Sequence, residues 1–296
     1  MRILVAGNTG QVAQALAECA AHGSGLTLRS LGRDTMDIRD KPAVVRAVDA
    51  ERPDIVVNAA AYTAVDKAES DEDAVFAVNE TGARNLAEAS ASAGIPVIHL
   101  STDYVFDGTK PDPYTEDDPV APAGAYGRSK LAGEVAVGEA NPQHIIFRTA
   151  WIHSATGHNF VKTMLRLAAD RDALNVVDDQ RGNPSYAPHI ADAILTVARG
   201  LKADGASAAW GLYHLAGTGA TTWCGLAREV FARSRALGGD YADVNPITTA
   251  DYPTPAQRPA NSQLDCGKLA RTFGIEMPSW QDGVAECVSR LVTREA

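Results

Sequence analysis

Short, mostly apolar runs alternate with amphipathic stretches through the first half of the chain. Ile3–Ala6, Leu26–Leu31, Asp54–Asn58, Ile95–Leu100 and Ile145–Arg148 have the length and composition of buried strands. Between them, Gln11–Ala21, Pro42–Ala50, Asp73–Ala93 and the stretch that begins at Tyr126 read as helices. Strand and helix in regular alternation predict an α/β fold with a doubly wound, Rossmann-like parallel sheet over residues 1–150. Helices on both faces would bury these strands on both sides, which suits their nearly continuous apolar character.

The second half is less regular. Helices are expected at Asn159–Asp170, His189–Gly200, Thr222–Leu237, Cys266–Phe273 and Trp280–Thr293, with strands at Val176–Asp179 and Gly211–Ala216. Three stretches read as irregular: Val65–Asp71, the Pro- and Asp-rich Gly108–Ala123, and Asn245–Gln263 with its four prolines. Unstructured stretches as long as the last two are commonly functional in a compact protein, as lids or substrate walls. The expected organisation is a nucleotide-binding domain over 1–150 and a smaller substrate domain from 151–186 and 211–296. Residues 187–210 return to the first domain.

Composition changes this picture little. The formal net charge of −10 argues against a nucleic-acid surface. Cys19, Cys224, Cys266 and Cys287 are scattered, without metal-ligand spacing, and fit free thiols in a reducing cytoplasm. No apolar run approaches the ~20 residues needed to span a bilayer.

The chemistry gathers at the predicted strand ends. Gly7 and Gly10 break the first strand just before a helix, with Ala13 as the small residue that follows. Glycines there let backbone approach a pyrophosphate, and the helix N-terminus supplies free N–H groups. The second strand ends in Gly32-Arg33, where an acidic residue would favour NAD. A basic one there can accept a 2′-phosphate, so the expected cofactor is NADPH, with NADH left open. Asp37 can meet the polar edge of an adenine. Ala59, Ala60 and Ala61 leave room for a cofactor beyond the third strand, and Asn79, among apolar neighbours, is expected as a buried amide.

Thr102 and Asp103 follow the fourth strand, Trp151 the fifth. Tyr126 and Lys130, four apart, share one side of a helix. An ammonium about 4 Å from a phenol favours phenolate by roughly 4 kcal/mol at an effective dielectric of ~20. That would bring a group of pKa ~10 toward neutral pH. Plain readings stand beside these: a solvated Arg33, a strand-end Thr102, a core Trp151, and an exposed Tyr–Lys pair.

Six strings together narrow the choice. They are Gly7-x-x-Gly10-Gln-Val, Asn58 through Glu69, Ser101-Thr-Asp-Tyr-Val-Phe-Asp-Gly108, Tyr126-Gly-Arg-Ser-Lys130, Phe147-Arg-Thr-Ala-Trp151 and Arg258-Pro-Ala-Asn-Ser262. On them, nearly the whole chain resembles the extended short-chain dehydrogenase/reductase family, in its branch of 4-keto-6-deoxy nucleotide-sugar reductases. The resemblance implies hydride reduction of the 4-keto group of a dTDP-linked sugar to dTDP-L-rhamnose. It implies Tyr126 as general acid, Lys130 as its partner and holder of the nicotinamide ribose, and Thr102 as the catalytic hydroxyl. Gly10, Gln11 and Val12 would form the pyrophosphate loop, and Asp37 and Ile38 the adenosine contacts. Ala60, Ala61 and Thr63 would form the inner cofactor wall. Val65, Asp103, Trp151 and Arg258 would lie on the substrate side. Some family members hold Mg2+ through a Glu on the first helix; the matching residue is Ala15, so no metal is carried over, and a homodimer is left open. Asp103, in the place of the carboxylate of dehydratases, keeps a dehydratase or epimerase in view. A non-catalytic regulatory subunit would be expected to have lost Tyr126 or Lys130.

Overall fold

The computed structural model of the chain describes residues 1–22, 25–204 and 209–293. The strands of the first half form one sheet: β1 (Arg2–Ala6), β2 (Thr27–Leu31), β3 (Ile55–Asn58), β4 (Val97–Thr102) and β5 (His144–Thr149). All neighbours are parallel, in the order β10-β5-β4-β3-β1-β2, where β10 is Gly211–His214. The doubly wound parallel architecture is therefore as expected.

Alternate residues of β1 explain the two layers. Ile3 and Val5 join one cluster with Val12 and Leu16 of α1 (Gln11–His22) and Ile190 and Ile194 of α8 (Ala187–Asp204). Leu4 and Ala6 join the opposite cluster, with Val44 of α2 (Lys41–Glu51), Leu86 of α5 (Ala83–Ser92) and Val137 of α6 (Ala125–Ala140). A parallel strand covered on both faces needs this double apolar character.

Four local readings change. Val65–Asp71 is not wholly irregular: Val65–Ala68 forms the short helix α3. The helix expected over 73–93 is divided into α4 (Glu72–Phe76), a π-helical stretch Ala77–Gly82, and α5. The 245–263 loop begins with the end of strand β12 (Asp243–Ile247) and a 3-10 turn at Thr249–Asp251. The boundary at residue 211 falls one element early, because β10 pairs with β5 in register Gly211↔Ile145 through His214↔Arg148. Residues 205–208 of the returning stretch lie outside the described residues.

The remaining elements are small. β6 (Ile152–His153) pairs with β9 (Ser185–Tyr186), β7 (Ala173–Val177) with β12, and β8 (Arg181–Gly182) with β11 (Thr221–Thr222). Around them, α7 (Phe160–Ala168), α9 (Trp223–Ala236) and α11 (Trp280–Val292) close a separate apolar cluster on Val161, Leu226, Val230 and Val284. The short helix α10 (Gly267–Phe273) instead sends Leu269 back to the first cluster. No described helix is long and apolar enough to cross a membrane.

Candidate active site

The C-terminal edge of the parallel sheet carries the predicted residues, as strand direction requires. At β1, Gly7 has φ +103°, a conformation that favours glycine, and it lies in contact with the Ala59 backbone. The α1 N-terminus follows within four residues, with no acidic residue in its first turn. Val12 is buried in the core, so it can offer a ligand only its backbone. Gln11 reaches away from the sheet, accepting from Asn159 Nδ2 at 2.9 Å and so tying α1 to the N-cap of α7.

At β2, Arg33 is exposed and acts on Asp37, which is itself clamped by Arg39 at 2.6 Å. Ile38 is buried against Gly82 of the π-helical stretch, so its side chain belongs to the core. Ala60 and Ala61 are half-buried and Thr63 exposed along the edge beyond β3.

Tyr126 stands on the first turn of α6. The helix start is held from outside: Glu69 accepts the Ala125 N–H at 2.8 Å. Gly127 lets the helix come close to the turn after β4, where a Cβ would lie 2.2 Å from the Tyr104 carbonyl oxygen. Asn79 is the expected buried amide, and it does more than bond neighbouring backbone. It pairs with Tyr62 N–H and C=O at 2.8 and 3.2 Å and donates to Ser129 Oγ at 3.0 Å. Ser129 in turn donates to the Tyr126 carbonyl at 2.8 Å. Sequence reading found the amide but not its link to the Tyr126 helix.

Thr102 Oγ1 donates to Asp103 Oδ1 at 3.0 Å, accepts the Tyr104 N–H at 3.2 Å, and eases ionisation of the Tyr126 phenol. Burial works the other way and wins, with Asp103 adding to it, so the phenol is pushed up to about 12. Asp103 is buried, which raises its carboxyl to about 6 against the opposing Ser262 and Thr102 hydroxyls.

Lys130 is turned toward β4. Its Nζ donates to the Leu100 carbonyl at 2.5 Å and lies 3.4 Å from His99 Nε2. Burial brings the amine down to about 8, against the pull of Glu134. The expectation that Lys130 lowers the phenol does not describe this arrangement, in which the phenol lies above its ordinary value. Sequence spacing also missed Glu134, a further turn along α6. It binds Arg148 at 2.6 and 2.9 Å and accepts from Ser101 at 2.5 Å, all buried.

The substrate-side residues form two walls. Val65, Tyr104, Tyr126, Ala256 and Pro259 line one narrow cleft. Arg258 belongs to the same loop but points to α3, bound to Asp66 at 2.9 and 3.1 Å. Trp151 has φ +46° and stacks on Trp223, ring centroids 3.5 Å apart and planes within 5°. Both Trp151 and Ser262 crowd Gly182, and Ser262 in turn acts on the Asp103 carboxyl. Trp223 carried no functional expectation; nothing in its local sequence marks a partner seventy residues away.

The whole described chain also matches a known family. Residues 1–293 fit the model described as the RmlD substrate binding domain. A dTDP-4-dehydrorhamnose reductase of Sinorhizobium fredii is 48% identical over 99% of this chain and 98% of its own.

The chain belongs to the dTDP-4-dehydrorhamnose reductase family.

Solved members of that family share its backbone. The Clostridium acetobutylicum protein is 36% identical with a TM-score of 0.91, covering 98% of this chain and 99% of that one. The Bacillus anthracis member, solved in complex with NADP, is 33% identical with the same TM-score and coverage. Among the described residues no group of three or more His, Cys, Asp or Glu is placed to hold a metal ion.

Proposed function

We propose that the chain reduces the 4-keto group of dTDP-4-dehydrorhamnose to give dTDP-L-rhamnose, with NADPH as electron donor. The observation that supports this is the Thr102 hydroxyl acting on the Tyr126 phenol, with Lys130 one turn further along α6, at the sheet edge that also holds the Gly7–Gly10 turn. The turn fits a dinucleotide: a positive-φ glycine packed on the Ala59 backbone, followed by a free helix N-terminus. Arg33, exposed beyond β2, would face a 2′-phosphate.

When bound, the reduced nicotinamide supplies a hydride. The residues of the chain deal with the charge that develops on the substrate oxygen. Tyr126 donates its phenolic proton to that oxygen, and Thr102 supplies a second hydrogen bond. A phenol held above its ordinary pKa stays protonated at neutral pH and is ready to donate. Lys130, fixed by the Leu100 carbonyl, places its amine one helical turn behind it. Trp151 and the Ala256–Pro259 loop wall the sugar and diphosphate positions, and the Asp66–Arg258 pair holds that loop to α3.

Asp103 sits where a dehydratase would keep its carboxylate. With the Thr102 hydroxyl donating to it, its reading here is as a partner of the catalytic hydroxyl. The test is a steady-state assay with the 4-keto sugar nucleotide and each reduced cofactor. Substrate-dependent loss of the reduced-nicotinamide absorbance is expected, with kcat/KM higher for NADPH. Loss of water from a 4-hydroxy sugar nucleotide supplied with oxidised cofactor, without net cofactor turnover, would point to the dehydratase instead.

A further inference from the structure

Behind Lys130 lies a buried chain of polar groups that the reaction above does not use. His99, on β4, is 1% exposed. Its Nδ1 is 2.9 Å from Asn58 Nδ2, and its Nε2 is 3.4 Å from Lys130 Nζ. Asn58, at the end of β3, accepts the Ala60 N–H at its Oδ1, 3.2 Å away.

This chain has a direction. The Ala60 N–H can only donate, so the Asn58 oxygen faces it and the Asn58 NH2 faces His99. Nδ1 must then be the acceptor, and the single proton of a neutral imidazole sits on Nε2. Turning the amide over would set its NH2 against the Ala60 N–H, two donors face to face. Burial holds His99 well below the usual imidazole range, with any charge on Lys130 adding to it, so it is neutral. The Nε2–H therefore points at the Lys130 nitrogen. Against an ammonium this is a donor facing a donor; against a neutral amine it is a hydrogen bond to the lone pair.

We infer that His99 is a positioning residue for the reductase reaction: Asn58 locks its tautomer, and its Nε2–H biases Lys130 toward the neutral amine. The inference rests on the reading of Lys130 as part of the reducing site. The other titratable groups around the amine are Tyr126 and Glu134 on its own helix, with Asp103 beyond the phenol and Arg148 beyond Glu134. Glu134 favours the ammonium but is engaged by Arg148 and Ser101. His99 is the group that favours the opposite state through a direct contact. The amine is then able to change charge during a turnover, and the pH at which activity fails on the alkaline side is set by β4.

His99→Gln tests this, because its amide can turn an oxygen toward Lys130 and stabilise the ammonium. The alkaline limb of the kcat/KM profile is expected to move up by about one pH unit, the size of one hydrogen bond. NADPH binding, followed by fluorescence, reports whether the variant retains its fold. A folded variant whose limb stays in place, or moves down, overturns the inference. A purely structural role would lower activity without moving the limb.

A second measurement needs no folded variant. In 15N-histidine-labelled wild-type protein, the buried resonance of His99 is expected to show Nε2 protonated and Nδ1 bare. The reverse tautomer, or an imidazolium at neutral pH, overturns the inference. If the wild type does not oxidise NADPH with the 4-keto sugar nucleotide, the functional reading fails, while the tautomer still decides the arrangement of His99.

Discussion

Two charged contacts flank Tyr126, and they are built differently. Between α6 and the sheet, Glu134 meets Arg148 with the two side chains 7% and 4% exposed. Between α3 and the 252–260 loop, Arg258 meets Asp66 with exposures of 23% and 42%. The first pair has lost its water and depends on every bond it makes, while the second can exchange its partner for solvent at small cost. The seam holds α6, which carries Tyr126 and Lys130, to the sheet. The outer contact ties the 252–260 loop to α3. Burial, more than the count of charges, separates the two tasks.

The largest effect belongs inside the seam. Tyr126→Phe keeps the ring that packs edge-on to Tyr104 but removes the donated proton. A rate loss of about 10²–10⁴-fold is expected, with NADPH affinity unchanged in a titration. A near-normal rate would remove Tyr126 from the mechanism and with it the contrast.

Next is the seam's ion pair. Glu134→Ala leaves the Arg148 guanidinium buried without its carboxylate, at a cost of about 3–5 kcal/mol in urea unfolding. A loss below about 1 kcal/mol would make the seam no different from the outer contact.

Asp103→Asn works in the opposite direction. The carboxyl is raised from 3.8 to about 6 in the folded protein. A group raised in this way contributes stability that is present below about pH 4 and lost as pH rises through about 6. The variant lacks that loss. It should match the wild type in acid and exceed it at pH 7 by up to ~3 kcal/mol, read from unfolding midpoints across that range.

The smallest effect belongs to the outer contact. Asp66→Asn should change stability by less than about 1 kcal/mol. Arg258→Ala should raise KM for the sugar nucleotide by about tenfold with kcat little changed, as expected of a wall residue outside the chemistry.

The parallel sheet was legible because it is written in local patterns: buried runs, a glycine turn, helices between. Thr102 was legible as the end of β4, and Tyr126 and Lys130 as two residues one turn apart on a helix. What local spacing could not show was direction and partnership. Four residues between Tyr126 and Lys130 put both on one side of α6, but the amine turns to the Leu100 carbonyl, a choice made by β4. The π-helical stretch carries Asn79, whose partners Tyr62 and Ser129 lie 17 and 50 residues away in the chain. Arg258 was read from its string as a residue of the substrate side, and its tie to Asp66 depends on a loop closing over 192 residues of chain. Trp151 and Trp223 likewise meet only after α9 is in place.

The position of β10 bears on how the protein is made. It is the outermost strand of the sheet, next to β5, yet it ends at His214, long after the other five strands. A chain emerging from the ribosome can assemble β1 to β5 early, but until His214 is out, β5 is an open edge with unpaired backbone groups. Such an edge invites pairing with a neighbouring chain. The interval between Thr149 and Gly211 is therefore a window of exposure during synthesis. Truncations that stop inside it should aggregate more readily than those that include β10.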